Sequence, residues 1–450
     1  MEIIQPIIDT ISPLLGKQQL KAGVAYRPMT FTVQLDTEKG LLLYNTMTKA
    51  LVLLSPDEAA SFQADASALT ELVEQWFVVP QDHDDRLLSR QVRSVCLALR
   101  NPSDAVTQYT IFTTTDCNAR CFYCFEKDSK PLHMSEDTAV RTADFIARHC
   151  GGKEVELEWF GGEPLYNKAV IGTICHRLRE LGVTFYSTMI TNGYLMDAAT
   201  VREAKEEWLL RGVQITLDGT EAVYNRVKAY VYPGVNAYRT VISNIHLMLE
   251  AEIGVKIRLN VDRHNADNLL LLADELSREF PDKRGLSVYS SPLFGSCVKH
   301  AAIYHDQHRK EIFEKQRLLQ QRLIANKLAV RPSLDYSIKL NQCMADSDNS
   351  LTILPSGHIG KCEHYLDSHF IGHIDSEERD EVMVQSFRQQ FDELPQCDHC
   401  PDYPNCFRLD KCEAAHLCYP ETIDTLTDNI REGMMRIYKH YIKKTKRHEA

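Results

Sequence analysis

Cys117-Asn118-Ala119-Arg120-Cys121-Phe122-Tyr123-Cys124 is the stretch on which the reading of this chain turns. Its spacing is C-x3-C-x2-C. Three thiolates on one short loop can each ligate a different iron of a [4Fe–4S] cube, which leaves the fourth iron without a protein ligand. An iron with an open position can bind and polarise a small molecule, a task ill suited to a four-cysteine electron carrier. Two blander uses of the loop are a zinc knuckle and a ferredoxin fragment. Zinc sites are usually built from C-x2-4-C pairs joined to a second pair, and no nearby fourth Cys or His completes such a set.

The loop sits in a segment, from about Val106 to Phe294, that alternates β-rich apolar runs with helical patterns. Strands are expected at Gln108–Thr114, Val155–Phe160, Thr184–Ile190, Val213–Leu217, Val255–Val261 and Leu286–Ser290. Helices are expected at Glu136–Cys150, Lys168–Leu181, Ala198–Leu210, Tyr238–Glu250 and Ala266–Phe280. Ser135 is placed as an N-cap, and Gly182 as the glycine just past a helix end. Repeated βα units imply a parallel sheet with helices on its outer face. In such folds chemistry gathers at the carboxyl ends of strands, which is where the cysteine loop falls.

With this loop the chain resembles the radical S-adenosylmethionine (radical SAM) superfamily. The resemblance implies an α/β fold built on a partial (β/α)6 barrel. It also implies that the open iron of the cube held by Cys117, Cys121 and Cys124 chelates SAM, and that one electron then cleaves the sulfonium to a 5′-deoxyadenosyl radical. Tyr123 matches the family's aromatic position against the adenine, and Phe125 continues the apolar wall. Phe160-Gly161-Gly162-Glu163-Pro164 matches the GGEP motif, whose edge binds the amino group of SAM, so Gly161, Gly162 and Glu163 become cofactor-binding candidates. Thr191-Asn192-Gly193 and Gln214-Ile215-Thr216-Leu217-Asp218-Gly219 match later strand ends. Asn192 and Thr216 are by position candidates to hydrogen-bond the cofactor, or else plain capping and turn residues. Where relatives often have H-D-x-x-R, this chain has Tyr224-Asn225-Arg226-Val227-Lys228, so no role of that His or terminal Arg transfers.

Seven cysteines follow the barrel: Cys343, Cys362, Cys397, Cys400, Cys406, Cys412 and Cys418. Their pattern resembles the SPASM extension of radical SAM enzymes that modify peptides and proteins, although five residues separate Cys406, the third Cys of the run, from Cys412 where three are common. The resemblance implies two auxiliary [4Fe–4S] clusters. Cys397, Cys400, Cys406 and Cys418 would hold the outer one, and Cys343, Cys362 and Cys412 the inner one. Paired structural zincs are the rival. Glu363 stands where sulfatase-maturating relatives carry an acidic general base, or else is a solvated carboxylate on a turn. Cys96, Cys150, Cys175 and Cys297 are read as small buried hydrophobes, with Cys297 alone near enough to the site to close the inner cluster.

Residues 1–100 match neither pattern. A hairpin is expected from Thr30–Leu35 and Leu41–Tyr44, then helices at Asp57–Ala64 and Ala68–Trp76 and a strand at Phe77–Pro80. This α+β order is similar to the winged-helix module that captures leader peptides by strand addition; a structural layer over the barrel is the other reading. The expected layout is an N-terminal domain (1–100), barrel (101–300), linker helix (301–335), SPASM domain (336–425), and C-terminal helix with a basic tail (426–450).

Composition narrows the setting. The chain has 450 residues, 44% of them hydrophobic and 25% charged, as in a soluble globular protein. Its net charge of −11 argues against nucleic acid and anionic membranes as partners. The basic run Lys439–His448 reads as the end of a last helix. With no expected span or signal peptide, 14 cysteines point to the cytoplasm and to metal ligation rather than disulfides. The expected activity is hydrogen abstraction from a precursor peptide or protein, forming a crosslink such as a Cys thioether, with flavodoxin or ferredoxin as electron donor. Formylglycine formation and a non-catalytic electron carrier are the alternatives.

Overall fold

A computed structural model describes the chain except residues 100–104, 128, 294–305, 332–333, 335–342, 391–393, 407, 413–417 and 449–450. Cys297 lies outside the described residues. Among the described residues no helix is long and apolar enough to cross a membrane.

The N-terminal module contains β1 (Glu2–Gln5), α1 (Ser12–Leu15), β2 (Tyr26–Pro28), β3 (Thr32–Thr37), β4 (Gly40–Asn45), β5 (Leu51–Leu54), α2 (Pro56–Ala64), α3 (Thr70–Glu74), β6 (Val78–Pro80) and α4 (Asp85–Leu99). Its antiparallel sheet has the order β1-β5-β4-β3. The expected hairpin is β3–β4, paired from Thr32↔Asn45 to Thr37↔Gly40. A capping box between Ser55 and Glu58 starts α2. The expected strand at Phe77–Pro80 forms as β6 but pairs with β2 rather than the hairpin. Leu41, Leu43, Val52 and Leu54 pack on Phe62, Leu72 and Phe77. The opposite sheet face packs Leu42, Tyr44, Leu51 and Leu53 on Met434 and Tyr438. Burial on both faces explains why β4 and β5 are runs of apolar residues rather than alternating ones.

The barrel follows: β7 (Gln108–Thr114), α5 (Glu136–His149), β8 (Val155–Gly161), α6 (Lys168–Glu180), β9 (Phe185–Thr191), α7 (Ala198–Glu206), β10 (Leu210–Leu217), α8 (Glu221–Lys228), α9 (Ala237–Glu250), β11 (Gly254–Val261), α10 (Ala266–Glu279), β12 (Leu286–Pro292) and α11 (Asp306–Ala325). Strands β12-β11-β10-β9-β8-β7 are neighbours in that order and pair in parallel. Outward residues such as Leu157, Trp159, Met189, Ile215 and Ile257 form one core with the helices. The alternate residues face the lumen and are polar, among them Glu156, Glu158, Gln214 and Arg258. All six expected strands are present. Helix α8 was not expected: its eight residues directly follow the Asp218-Gly219 turn.

The C-terminal part holds β13 (Ser350–Ile353), β14 (His358–Gly360), β15 (Gly372–His373), α12 (Glu381–Ser386) and α13 (Pro420–His448). It is not a detached unit. Strand β13 pairs in parallel with β7 from Ser350↔Gln108 to Ile353↔Ile111, so one nine-stranded sheet continues from the barrel into this lobe. The last helix begins at Pro420 rather than 426, and it absorbs the basic run up to His448.

Candidate functional site

The cysteine loop leaves the carboxyl end of β7 and is laced to the end of β8. Gly162 N donates to Thr114 O (3.1 Å) and Glu163 N to Asp116 O (2.9 Å). A Cβ on Gly161, whose φ is +127°, would lie 2.0 Å from Thr114 O, and one on Gly162 would lie 2.4 Å from Asp116 O. Both glycines are therefore required by the approach of two backbones. The Glu163 side chain is spent in the same bracing. It is fully buried and accepts from Thr191 Oγ1 (2.8 Å), Asn192 N (2.8 Å) and Leu165 N (3.2 Å). Burial pushes its carboxyl up to about 7 against the pull of these donors. Its carboxylate thus links the ends of β8 and β9.

Asn192 also turns inward, donating from Nδ2 to Asn118 Oδ1 (2.6 Å). Asn118, inside the loop, is fully buried and its own Nδ2 has no hydrogen-bond partner. Thr216 is half-buried on the lumen side of β10. The Tyr123 hydroxyl donates toward Asp218, 2.9 Å from each carboxylate oxygen. Phe125 packs with Phe112, Phe160 and Leu354.

The three loop thiols suit a cluster. Burial pushes Cys117 up to about 12, with the charges of Glu163, Cys121 and Cys124 adding to the effect. Burial likewise raises Cys121. Such thiols stay protonated at neutral pH until cationic metal draws out the proton. Among the described residues the buried Nδ2 of Asn118, the residue after Cys117, has no acceptor, and a sulfide-rich group held by this loop would offer one. Among the described residues no three Cys, His, Asp or Glu side chains converge closely enough for one metal ion. A cube does not require that, because each thiolate takes a separate iron.

The later cysteines fall into two groups. Cys343, Cys362 and Cys412 surround Ala345, Phe387 and Leu409. Burial pushes Cys343 up to about 11, and burial together with Glu363 raises Cys362. Cys400 is pushed up to about 12 by burial, with Cys406 and Cys418 adding to it. Cys397 and Cys400 pack against Met29, Phe31, Trp76 and Tyr403, at the seam with the N-terminal module. Phe31 stacks on Tyr403 (6.3 Å), Lys49 Nζ donates to Asn405 Oδ1 (2.6 Å), and Thr46 bonds Pro401 O.

A family model described as a 4Fe-4S single cluster domain matches residues 107–229. Over 174 residues the chain is 28% identical to the serine-type anaerobic sulfatase-maturating enzyme of Klebsiella aerogenes, a match covering 36% of this chain and 41% of that protein. The structure is similar to anSMEcpe solved with AdoMet and the Kp18Cys peptide (TM-score 0.56, 14% identity, 75% of this chain and 99% of that one). It is also similar to SuiB of Streptococcus suis bound to precursor peptide SuiA (TM-score 0.50, 12% identity, 85% and 94%). Part of the chain is thus similar to a sulfatase-maturating enzyme, less than half of whose length it matches, and the fold is that of anSMEcpe and SuiB.

Two features of the chain escaped the sequence reading. Lys228 is buried with Asp218 behind the cysteine loop, and only its departure from the family motif marked it. Glu158, on the lumen face of β8, accepts from Thr110 Oγ1 (3.1 Å) and lines a cavity of about 150 Å³ with Gln108, Glu156, Met344 and Ser350. Burial, then the charge of Glu363, pushes Glu158 up to about 7. Glu363 is half-buried and acts electrostatically on both Glu158 and Cys362. Cys150 and Cys175 are buried as expected, whereas Cys96 is half-buried on α4.

Proposed function

We propose that the chain is a radical SAM enzyme that abstracts hydrogen from a ribosomally made peptide and crosslinks it, for example through a Cys thioether. The observation that carries this reading is the set of loop thiols Cys117, Cys121 and Cys124 at the carboxyl end of β7, near the second cysteine group: the Phe125 ring lies 4.7 Å from that of His364, two residues past Cys362. The first three would hold a [4Fe–4S] cube and its SAM, and the remaining sets would hold auxiliary cubes. When bound, cube and SAM together supply a carbon-centred radical able to take hydrogen from an unactivated bond.

The protein's own groups orient and protect. The loop, fixed by Gly162, Glu163 and Asn192, presents three thiols from one rigid strand end. Phe112, Phe125 and Phe160 exclude water beside it. Glu363 is suited to accept a proton at its carboxylate, with Glu158 half-protonated near neutral pH as its neighbour. Strand β3 is an outer strand of the N-terminal sheet, which suits capture of a leader by strand addition where Arg431, which donates to Gln34 O, gives way. An acidic flavodoxin or ferredoxin is the proposed reductant.

Formylglycine formation is the second reading, favoured by the likeness to the Klebsiella enzyme. The two separate by product. A thioether leaves the substrate Cys unable to react with an alkylating reagent, whereas formylglycine is an aldehyde captured by a hydrazide. Reduced, reconstituted protein incubated with SAM and a candidate Cys-rich precursor is expected to give the alkylation-resistant product. A precursor of either kind left unmodified, while 5′-deoxyadenosine accumulates, would remove peptides of that class as substrates.

A further inference from the structure

Lys228 ends α8 and is 4% exposed, an unusual place for an ammonium. Its Nζ lies 3.2 Å from Asp218 Oδ2 and donates to the Tyr123 hydroxyl (3.0 Å), which itself bonds Asp218. The ammonium also stands over two rings, 5.6 Å from the centroid of Tyr123 and 5.9 Å from that of Tyr224. The backbone repeats the connection: Arg120 N donates to Lys228 O (2.8 Å) and Val231 N to Asn118 O (2.9 Å). Two residues of the cysteine loop are thus stitched to the segment that carries the lysine.

A buried ion pair is a poor device for stability, since desolvating both charges offsets their attraction and apolar residues often serve as well. Its charges nevertheless act strongly on whatever lies beside them in a low-dielectric interior. Beside them lies the cysteine loop, joined to the pair through the Tyr123 hydroxyl, one residue before Cys124, and through the bond from Arg120 N to Lys228 O, one residue before Cys121. Reducing a cluster adds one negative charge. A nearby cation stabilises the reduced form and raises the potential, and a nearby anion lowers it.

Resting on the radical SAM reading, we propose that Lys228 and Asp218 form a buried charge lock on the cysteine loop. The lock positions Tyr123 and Cys121 and sets the reduction potential of the cluster held there. Lys228 is a positioning residue in this account. It acts through Tyr123 and Cys121.

The test is a potentiometric titration of full-length, reconstituted protein, following the paramagnetic signal that SAM perturbs, since only a cluster with an open iron responds to SAM. Lys228→Met should shift that potential negative and Asp218→Asn should shift it positive, while Lys228→Arg stays near wild type. The double variant should return toward wild type. If Lys228→Met fails to load iron, Asp218→Asn and the double variant still decide the matter. Unchanged potentials in fully loaded variants, or shifts of the same sign, would overturn the charge lock. A wild-type protein with no SAM-perturbed signal would instead overturn the radical SAM reading beneath it.

Discussion

The chain carries two kinds of cysteine set, and they differ in how the fold assembles them. The first lies within Cys117–Cys124, on one loop at one strand end, and the backbone and side chains of the neighbouring strand ends hold it in shape. The second runs from Cys343 to Cys418 and draws on segments that meet only after β13 has joined β7 and the N-terminal module has packed on Tyr403. A local set depends on a few neighbouring contacts. A dispersed set depends on the whole tertiary structure, and its loss is expected to leave the local one working.

Substitution of the cysteines should show the largest contrast. Ala at Cys117, Cys121 and Cys124 is expected to remove about four irons and all formation of 5′-deoxyadenosine. Ala at Cys343, Cys362 and Cys412 should remove a similar amount of iron, keep SAM cleavage measurable, and abolish peptide modification. Iron analysis and chromatography of the nucleoside check both. Equal loss of SAM cleavage in the two variants would break the distinction.

Glycine substitutions probe the same contrast through the backbone. Gly161→Ala drives a methyl into Thr114 O at a φ of +127°, with only backbone to yield. A cost on the order of 4 kcal/mol is expected, read as lost soluble yield and cluster loading. Gly357→Ala, in the C-terminal lobe, meets the His373 side chain at 2.8 Å, which can move. About 1–2 kcal/mol is expected there.

Glu158 joins the two regions and gives a pH signature. Its folded carboxyl titrates at about 7, whereas an unfolded Glu titrates near ~4.3. The folded state therefore binds more protons between those values, and stability falls as pH rises through that window. Glu158→Gln removes the penalty. Its melting temperature should exceed that of wild type more at pH 8 than at pH 5, by the equivalent of roughly 2–3 kcal/mol; a pH-independent difference would show that Glu158 is not held protonated. The smallest effect is expected at Gly172, inside α6 with nothing near its Cβ direction. Ala there should stabilise by about 0.5–1 kcal/mol and leave both cysteine sets unaffected.

Sequence legibility followed the same divide. The barrel strands were readable because buried parallel strands are short apolar runs between helical patterns, and the cysteine loop because its ligands are close in sequence. Strand β13 was not readable as a barrel neighbour, since Ser350–Ile353 pairs with residues more than two hundred positions earlier and nothing local marks the partner. Helix α8 was hidden by its length. The hydrogen bonds made by Glu163, Asn192 and Lys228 could not be read from motifs either. A motif names the residue, but which way its side chain turns depends on whether a ligand or a neighbouring backbone lies closer.

The central claim is that Cys117, Cys121 and Cys124 hold a cluster whose open iron binds SAM. Anaerobically reconstituted wild-type chain, chemically reduced and mixed with SAM without any peptide, tests it most directly. The account predicts 5′-deoxyadenosine and methionine in equal amounts. A fully loaded and reduced protein that leaves SAM intact would contradict it.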